Sequence, residues 1–281
     1  MGREELEALV RAALEEAKAR GVDQAEVAAS SDTGLAATAR LGDVENLEYT
    51  NDRGLWITVY KDSRKGSAST SDTQPEAIRE AVAKACTFAD CTAQDPYAGL
   101  ADAELMCTDA KDLDLDYPWG IEAADAIDMA IACEAAGLAV DSRITNSEGA
   151  TVSTNRGVRA YGNTHGFVGS YAKSSHSISC VVLASGNDEM QRDYYSSAAR
   201  DAADLEDVTD IGVTAGKRAV SRLGAQKIKT TRAPALFVPE LARGFIGHAI
   251  GAASGGAQYR KASFLLDAVG EKIFPEFVQI E

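Results

Sequence analysis

Leu6, Leu9, Val10, Ala13, Leu14 and Ala17 recur three and four residues apart, with Glu4, Glu5, Glu15, Glu16 and Lys18 on the remaining positions. That period predicts an amphipathic helix, stopped at Gly21. From residue 25 the pattern shortens to runs at 25–30, 35–40, 44–50, 54–60 and 65–71. Gly34, Leu41-Gly42-Asp43, Asn51-Asp52-Arg53-Gly54 and Lys61-Asp62-Ser63-Arg64 fall between them as corners. An antiparallel meander follows from this, and the strict alternation of Leu55, Ile57 and Val59 with Trp56, Thr58 and Tyr60 makes 54–60 its clearest strand. Pro75 opens a second helix through Ile78, Ala81, Val82 and Ala85, with Thr73 as the expected cap.

Residues 109–116 are acidic and turn-rich, and Pro118-Trp119-Gly120 completes a linker. Beyond it the periodicity predicts a helix over 121–140, strands at 144–148, 151–155, 159–163, 167–174, 176–185 and 190–197, and a helix over 208–223. The turn before the last strand is expected at Ser185-Gly186-Asn187-Asp188. After Pro234 a short apolar strand at 235–238 meets Pro239, and a helix rich in glycine and alanine begins, with Glu240 suited to the positive end of its dipole. The expected fold is α+β: mixed antiparallel sheets with packing helices in an N-terminal domain (1–108) and a middle domain (109–231), then the start of a third domain (232–281).

Charge removes some functions from consideration. With 43 acidic against 28 basic residues the formal net charge is −15, which opposes direct nucleic-acid binding and an anionic membrane surface. No run reaches the roughly 18 apolar residues of a membrane span, and the first residues do not read as a signal peptide. Five cysteines at unpatterned spacings suit free thiols and a cytoplasmic location better than a disulfide framework. The basic run Lys217, Arg218, Arg222, Lys227, Lys229 and Arg232 reads as solvated cations at a helix end. Asp112, Asp114 and Asp116 alternate like the start of a calcium loop but lack its Gly and distal Glu.

Several stretches carry a family resemblance along the whole chain. They are Gly42-Asp43-Val44-Glu45-Asn46, Gly54-Leu55-Trp56-Ile57-Thr58-Val59-Tyr60, Arg64-Lys65-Gly66-Ser67-Ala68-Ser69, Arg143-Ile144-Thr145-Asn146-Ser147-Glu148-Gly149, Gly162-Asn163-Thr164-His165-Gly166, Met190-Gln191-Arg192-Asp193-Tyr194 and Tyr259-Arg260-Lys261-Ala262-Ser263-Phe264-Leu265-Leu266-Asp267. On these the chain resembles the TldD/PmbA metallopeptidases, once described as modulators of DNA gyrase, and within them the PmbA (TldE) type. The TldD type carries His-Glu-x-x-x-His on the helix after Pro239, with a Cys ligand from a later segment. Laid over that motif, the first His falls on Gly247, the Glu on His248 and the second His on Ala252. The resemblance therefore implies a subunit without a cofactor of its own, zinc in a TldD-type partner, peptides as substrates, and more chain in the third domain than is present here.

On the residues themselves, Gly247, His248, Gly251, Ala252 and Arg260 are candidates for the wall of a peptide groove or a subunit interface, because small residues allow another backbone to approach. A lone His among Ile246, Ala249 and Ile250 is more often a hydrogen-bonded core or interface residue than a ligand. Gly251, Ser254, Gly255 and Gly256 lack the Lys-Ser/Thr of a phosphate loop. A hydrolase built on His165 or His176 would need a serine elbow that the chain does not contain. An interaction or adaptor protein without catalysis is the alternative to the peptidase subunit.

Overall fold

The computed structural model describes residues 1–186 and 188–280, so Asn187 of the expected turn and Glu281 lie outside the described residues. The chain divides into two compact units, Met1–Ala225 and Gln226–Glu281. The first contains α1 (Arg3–Ala19), β1 (Gln24–Arg40), β2 (Asp43–Lys61), β3 (Arg64–Thr70), α2 (Pro75–Cys91), α3 (Ala123–Leu138), β4 (Ile144–Asn163), β5 (Val168–Gly186), β6 (Glu189–Ala199) and α4 (Val208–Ser221). Its strands form one antiparallel sheet in the order β3-β2-β1-β4-β5-β6.

The period-two burial of β1 organises this unit. Ala25, Val27 and Ala29 lie under α1 and α2 with Leu6, Val10, Leu14, Ile78 and Val82. Leu35, Ala37 and Ala39, on the same face ten residues later, lie under α3 and α4 with Ala130, Cys133, Ile211 and Ala215. One strand thus supplies two cores because alternate side chains keep one face over its whole length. The two segments read as separate domains contribute adjacent strands: β1 pairs with β4 from Glu26↔Asn163 to Ala39↔Ala150.

Several expected corners are instead strand. Gly34 and Asn51 to Gly54 stay extended, since Ser30↔Gly54, Ser31↔Arg53, Asp32↔Asp52 and Thr33↔Asn51 are ladder partners. Pairing on both sides of β1 overrides their turn preference. Gly34 is needed for another reason, as a Cβ there would stand 2.8 Å from the Thr154 carbonyl oxygen. The three strands expected over 144–163 are one, bent by irregularities near Asn146 and Gly149, and those expected over 167–185 are likewise one. Gln74, not Thr73, caps α2, without a side-chain bond. Residues 235–238 form no strand, and the described residues contain no ladder in which they take part.

Before β4, Arg143 donates to both carboxylate oxygens of Asp141, at 2.9 and 2.8 Å, and its backbone N–H adds a third bond. These contacts, the side-chain hydrogen bond foremost, hold the Asp141 carboxyl down to about 2. A depressed carboxyl stabilises the fold above its unfolded value of about 4, and this contribution is lost as pH falls through about 2. Carboxyl NMR should show Asp141 titrating far below the bulk of the aspartates, and Arg143→Ala should return it toward 4. An unchanged midpoint would contradict the pairing.

The linker between α2 and α3 folds round an edge. β6 pairs with β5 only from His176 onward, which leaves 168–175 open on that side. The Ser174 N–H donates to the Leu115 carbonyl at 2.8 Å and the Ser174 hydroxyl accepts from the Tyr117 N–H at 2.8 Å. Arg156 clamps Asp116 through two bonds of 2.8 and 2.6 Å, lowering its carboxyl pKa. The three aspartates of the linker therefore act separately: Asp112 accepts the Asp114 N–H, Asp114 accepts the Tyr117 hydroxyl, and Asp116 holds Arg156.

Candidate functional site

In the second unit Pro239 presets the first turn of α5 (Pro239–Ala253), and the helix ends at Ser254, whose hydroxyl donates to the Gly251 carbonyl at 2.8 Å. The short α6 (Gly255–Tyr259) follows at once. The orphan Ala252 carbonyl is satisfied by the Ser263 hydroxyl at 2.6 Å and the Gln258 amide at 2.7 Å. Ser263 Oγ also accepts the Leu265 N–H at 2.9 Å. This knot ties the returning segment to the end of α5 and buries Ala252 and Ala257.

A shallow depression of about 420 Å³ results, lined by Gly247, His248, Gly251, Ala252, Ala262, Ser263 and Phe264. Four of the five residues singled out by sequence therefore meet in one place. Arg260 does not line it; its guanidinium lies beside Gly256, where an added Cβ would stand 3.3 Å from Nη1. His248 is exposed and so is not a core residue. A Cβ at Gly247 or Gly251 would meet nothing within 4 Å. These glycines serve no packing need inside the unit, and their helix face stays open.

The depression's donors are one imidazole and one hydroxyl among carbon and backbone. A catalytic zinc takes three protein ligands drawn from His, Cys, Asp and Glu, and among the described residues no three such side chains converge. The residues present do not fit that ion.

The other two histidines hold the first unit together. His176, 1% exposed, bonds through Nδ1 to the Thr154 hydroxyl at 2.9 Å and through Nε2 to the Tyr117 carbonyl at 2.8 Å. A carbonyl can only accept, so Nε2 carries a proton and donates to Tyr117. Trp119 packs edge-on against the ring at 5.4 Å between centroids. His165 reaches the Ala101 carbonyl at 3.2 Å. Among the described residues neither is hydrogen-bonded to a serine hydroxyl.

The basic run separates into anchored and solvated parts. Arg222 pairs with Asp193, and the Arg218 guanidinium stands over the Tyr195 ring at 4.6 Å, both fastening α4 to β6. Lys227, Lys229 and Arg232 are exposed. No helix is long and apolar enough to cross a membrane among the described residues. The sequence reading passed over a larger cavity on the strand face turned away from the helices. Only register reveals it, by bringing residues of four strands together.

Three family models match in chain order. They describe domain 1 (residues 25–89), the central domain (116–223) and the C-terminal domain (230–281) of PmbA/TldA metallopeptidases. The metalloprotease PmbA of Escherichia coli O157:H7 is 44% identical over 276 residues, covering 98% of this chain and 61% of its own length. A PmbA homologue from Haemophilus influenzae is 41% identical over 277 residues, covering 99% and 61%. The chain thus spans about three fifths of the length of the curated relatives it matches. Among solved structures, a Bacteroides thetaiotaomicron protein described as a modulator of DNA gyrase superposes with a TM-score of 0.83 at 23% identity, covering 92% of this chain and 60% of that one. TldE from Thermococcus kodakarensis does so with a TM-score of 0.71 at 18% identity, covering 95% and 59%. At these identities the superpositions show the fold.

Proposed function

The chain belongs to the PmbA/TldD metallopeptidase family, and from that premise we propose that it is a PmbA/TldE-type subunit working beside a TldD-type catalytic subunit on small or unfolded peptides. The observation that carries this reading is the composition of the α5 depression. By the resemblance, Gly247, His248 and Ala252 fall where the TldD type has two ligand histidines and a general-base glutamate, and their open face offers space in place of donors. In this reading a zinc held by the partner's own residues would supply the Lewis acidity for hydrolysis, and this chain would contribute none of its ligands. The α5 face, Gly247 and Gly251 foremost, forms part of the wall along which the peptide lies or against which the partner packs. The five free cysteines support a cytoplasmic setting.

Reconstitution tests this. The chain purified alone should hold no stoichiometric zinc and cleave no peptide, whereas addition of the TldD-type partner should give cleavage. Tightly bound zinc or peptidase activity in the isolated chain would overturn the assignment. Exposed Leu241, Phe245 and Ile250 on α5 favour a second reading, a non-catalytic interaction or adaptor protein. Full cleavage by the partner without this chain would select it. His165→Ala should leave cleavage by the assembled pair within about twofold, since the imidazole's hydrogen bond goes to a backbone carbonyl. A loss of several orders of magnitude would revive a catalytic histidine.

A further inference from the structure

The strand face of the first unit that carries no helices has an ordered chemistry of its own. Across one row of the sheet the register sets Trp56, Ala28, Tyr161 and Gly169 side by side on β2, β1, β4 and β5. The next row on this face is Gly54, Ser30, Arg159 and Tyr171. In the first row large rings therefore alternate with residues that have almost no side chain.

The glycines let those rings lie down. A Cβ at Gly54 would stand 2.4 Å from the Trp56 indole, and one at Gly169 would stand 2.8 Å from the Phe167 ring, so each ring covers bare backbone. Phe167 and Tyr161 are 6.2 Å apart between centroids. The Tyr161 hydroxyl is fixed at 3.0 Å on Glu26, which also accepts the Tyr60 hydroxyl at 2.9 Å. Between these walls and the linker segment 107–113 lies a cavity of about 760 Å³. Trp56 and Tyr161 stand on strands either side of β1, about 10 Å apart at the backbone, with the small Ala28 between them.

The polar end is already neutralised. Arg159 donates to Asp32 at 2.7 Å, and Gly157 makes room for the pair, since a Cβ there would stand 2.5 Å from Asp32 Oδ1. Lys111 and Asp109, on the linker side, are of opposite sign. At the Arg159–Asp32 end a charged occupant would lose its hydration without gaining a free counter-charge, whereas a neutral one would not.

We propose that this cavity is a binding site for an aromatic residue, Phe, Tyr or Trp, within a neutral stretch of peptide, held between Trp56 and Tyr161 over Ala28. The peptide context rests on the function proposed above, while ring binding does not. Pockets of this size that join apolar walls to a few fixed polar groups are ordinary ligand sites, and offset or edge-on aromatic contacts reward a ring over an aliphatic chain.

The test uses the 281-residue chain and two reporters in one spectrum. Titration with N-acetyl-L-phenylalaninamide should shift the Trp56 indole N–H saturably and leave that of Trp119, packed on His176, in place. N-acetyl-L-leucinamide should bind about tenfold more weakly for want of ring contacts, and so should free L-phenylalanine for its uncompensated charges. Ala28→Leu should abolish the Trp56 shift by filling the floor without touching the helix-covered core. Equal binding of the leucine amide, shifts at both indoles, or undiminished binding to a folded Ala28→Leu chain would overturn the site. Failure here leaves the reconstitution result untouched, and failed reconstitution leaves ring binding untouched.

Discussion

Gly66→Ala and Gly212→Ala are each expected to cost about 3 kcal/mol or more, enough to threaten folding. A Cβ on Gly66 of β3 would stand 2.0 Å from the Ala85 carbonyl oxygen and 2.3 Å from the Ala89 nitrogen of α2. On Gly212 of α4 it would stand 2.0 Å from the Cys133 carbonyl oxygen of α3, with Gly137 and Gly216 completing the crossing. In both cases the obstacle is helix backbone, which cannot swing aside like a side chain. Relief requires lifting a helix from its partner and losing the dispersion contacts around it. Gly247→Ala, in the open face of α5, is the control: it should be neutral or gain up to about 1 kcal/mol from helix propensity. Denaturant midpoints measure all three. Hydrogen exchange should place the damage at α2 for the first variant and at α3 and α4 for the second. If both variants melt with the unsubstituted chain, the close approaches are wrong.

The second large effect is expected at Glu134, a carboxylate 1% exposed on α3. Its two oxygens accept the N–H groups of Leu41 at 2.9 Å and Gly42 at 3.0 Å, at the turn joining β1 to β2. Both turn residues have positive φ, 52° and 82°, so the turn itself is costly for Leu41 and needs external support. Glu134→Ala removes two charge-assisted bonds and opens a void beside Cys133, and the expected loss is about 3 kcal/mol. Glu134→Gln keeps one acceptor oxygen and should lose roughly half as much. Gly42→Ala, forced to a positive φ, should weaken the same turn without touching α3. Chemical denaturation gives the magnitudes, and amide shifts of Leu41 and Gly42 give the location. Loss of stability in Glu134→Ala with those two amides unmoved would show that the carboxylate does not act through the turn.

Much of the fold could be read locally. The three- and four-residue spacing of Leu6, Val10, Ala13 and Leu14 specified α1, and the alternation of Leu55, Ile57 and Val59 specified the inner face of β2, because each pattern is one element's own burial. What misled was punctuation. Gly34, and Asn51 to Gly54, carry the chemistry of turns, yet they lie inside strands of 17 and 19 residues, held straight by partners far away in the chain. The apolar run at 235–238 has the composition of a strand and finds no ladder.

At the candidate site, the absence of paired imidazoles and a neighbouring acid on α5 is a property of residue identity, and the sequence alone settles it. That Gly247, His248, Gly251 and Ala252 share one depression while Arg260 turns toward Gly256 depends on how Ser263 and Gln258 cap the helix, which no spacing encodes. The aromatic cavity is further from reach, since Trp56, Tyr161 and Tyr171 become neighbours only through the register of β1, β2, β4 and β5. Periodicity and residue chemistry act within a few residues and so were legible in the chain. Register, close glycine contacts and the burial of Glu134 and His176 are set by groups dozens of residues apart, and only the folded molecule decides them.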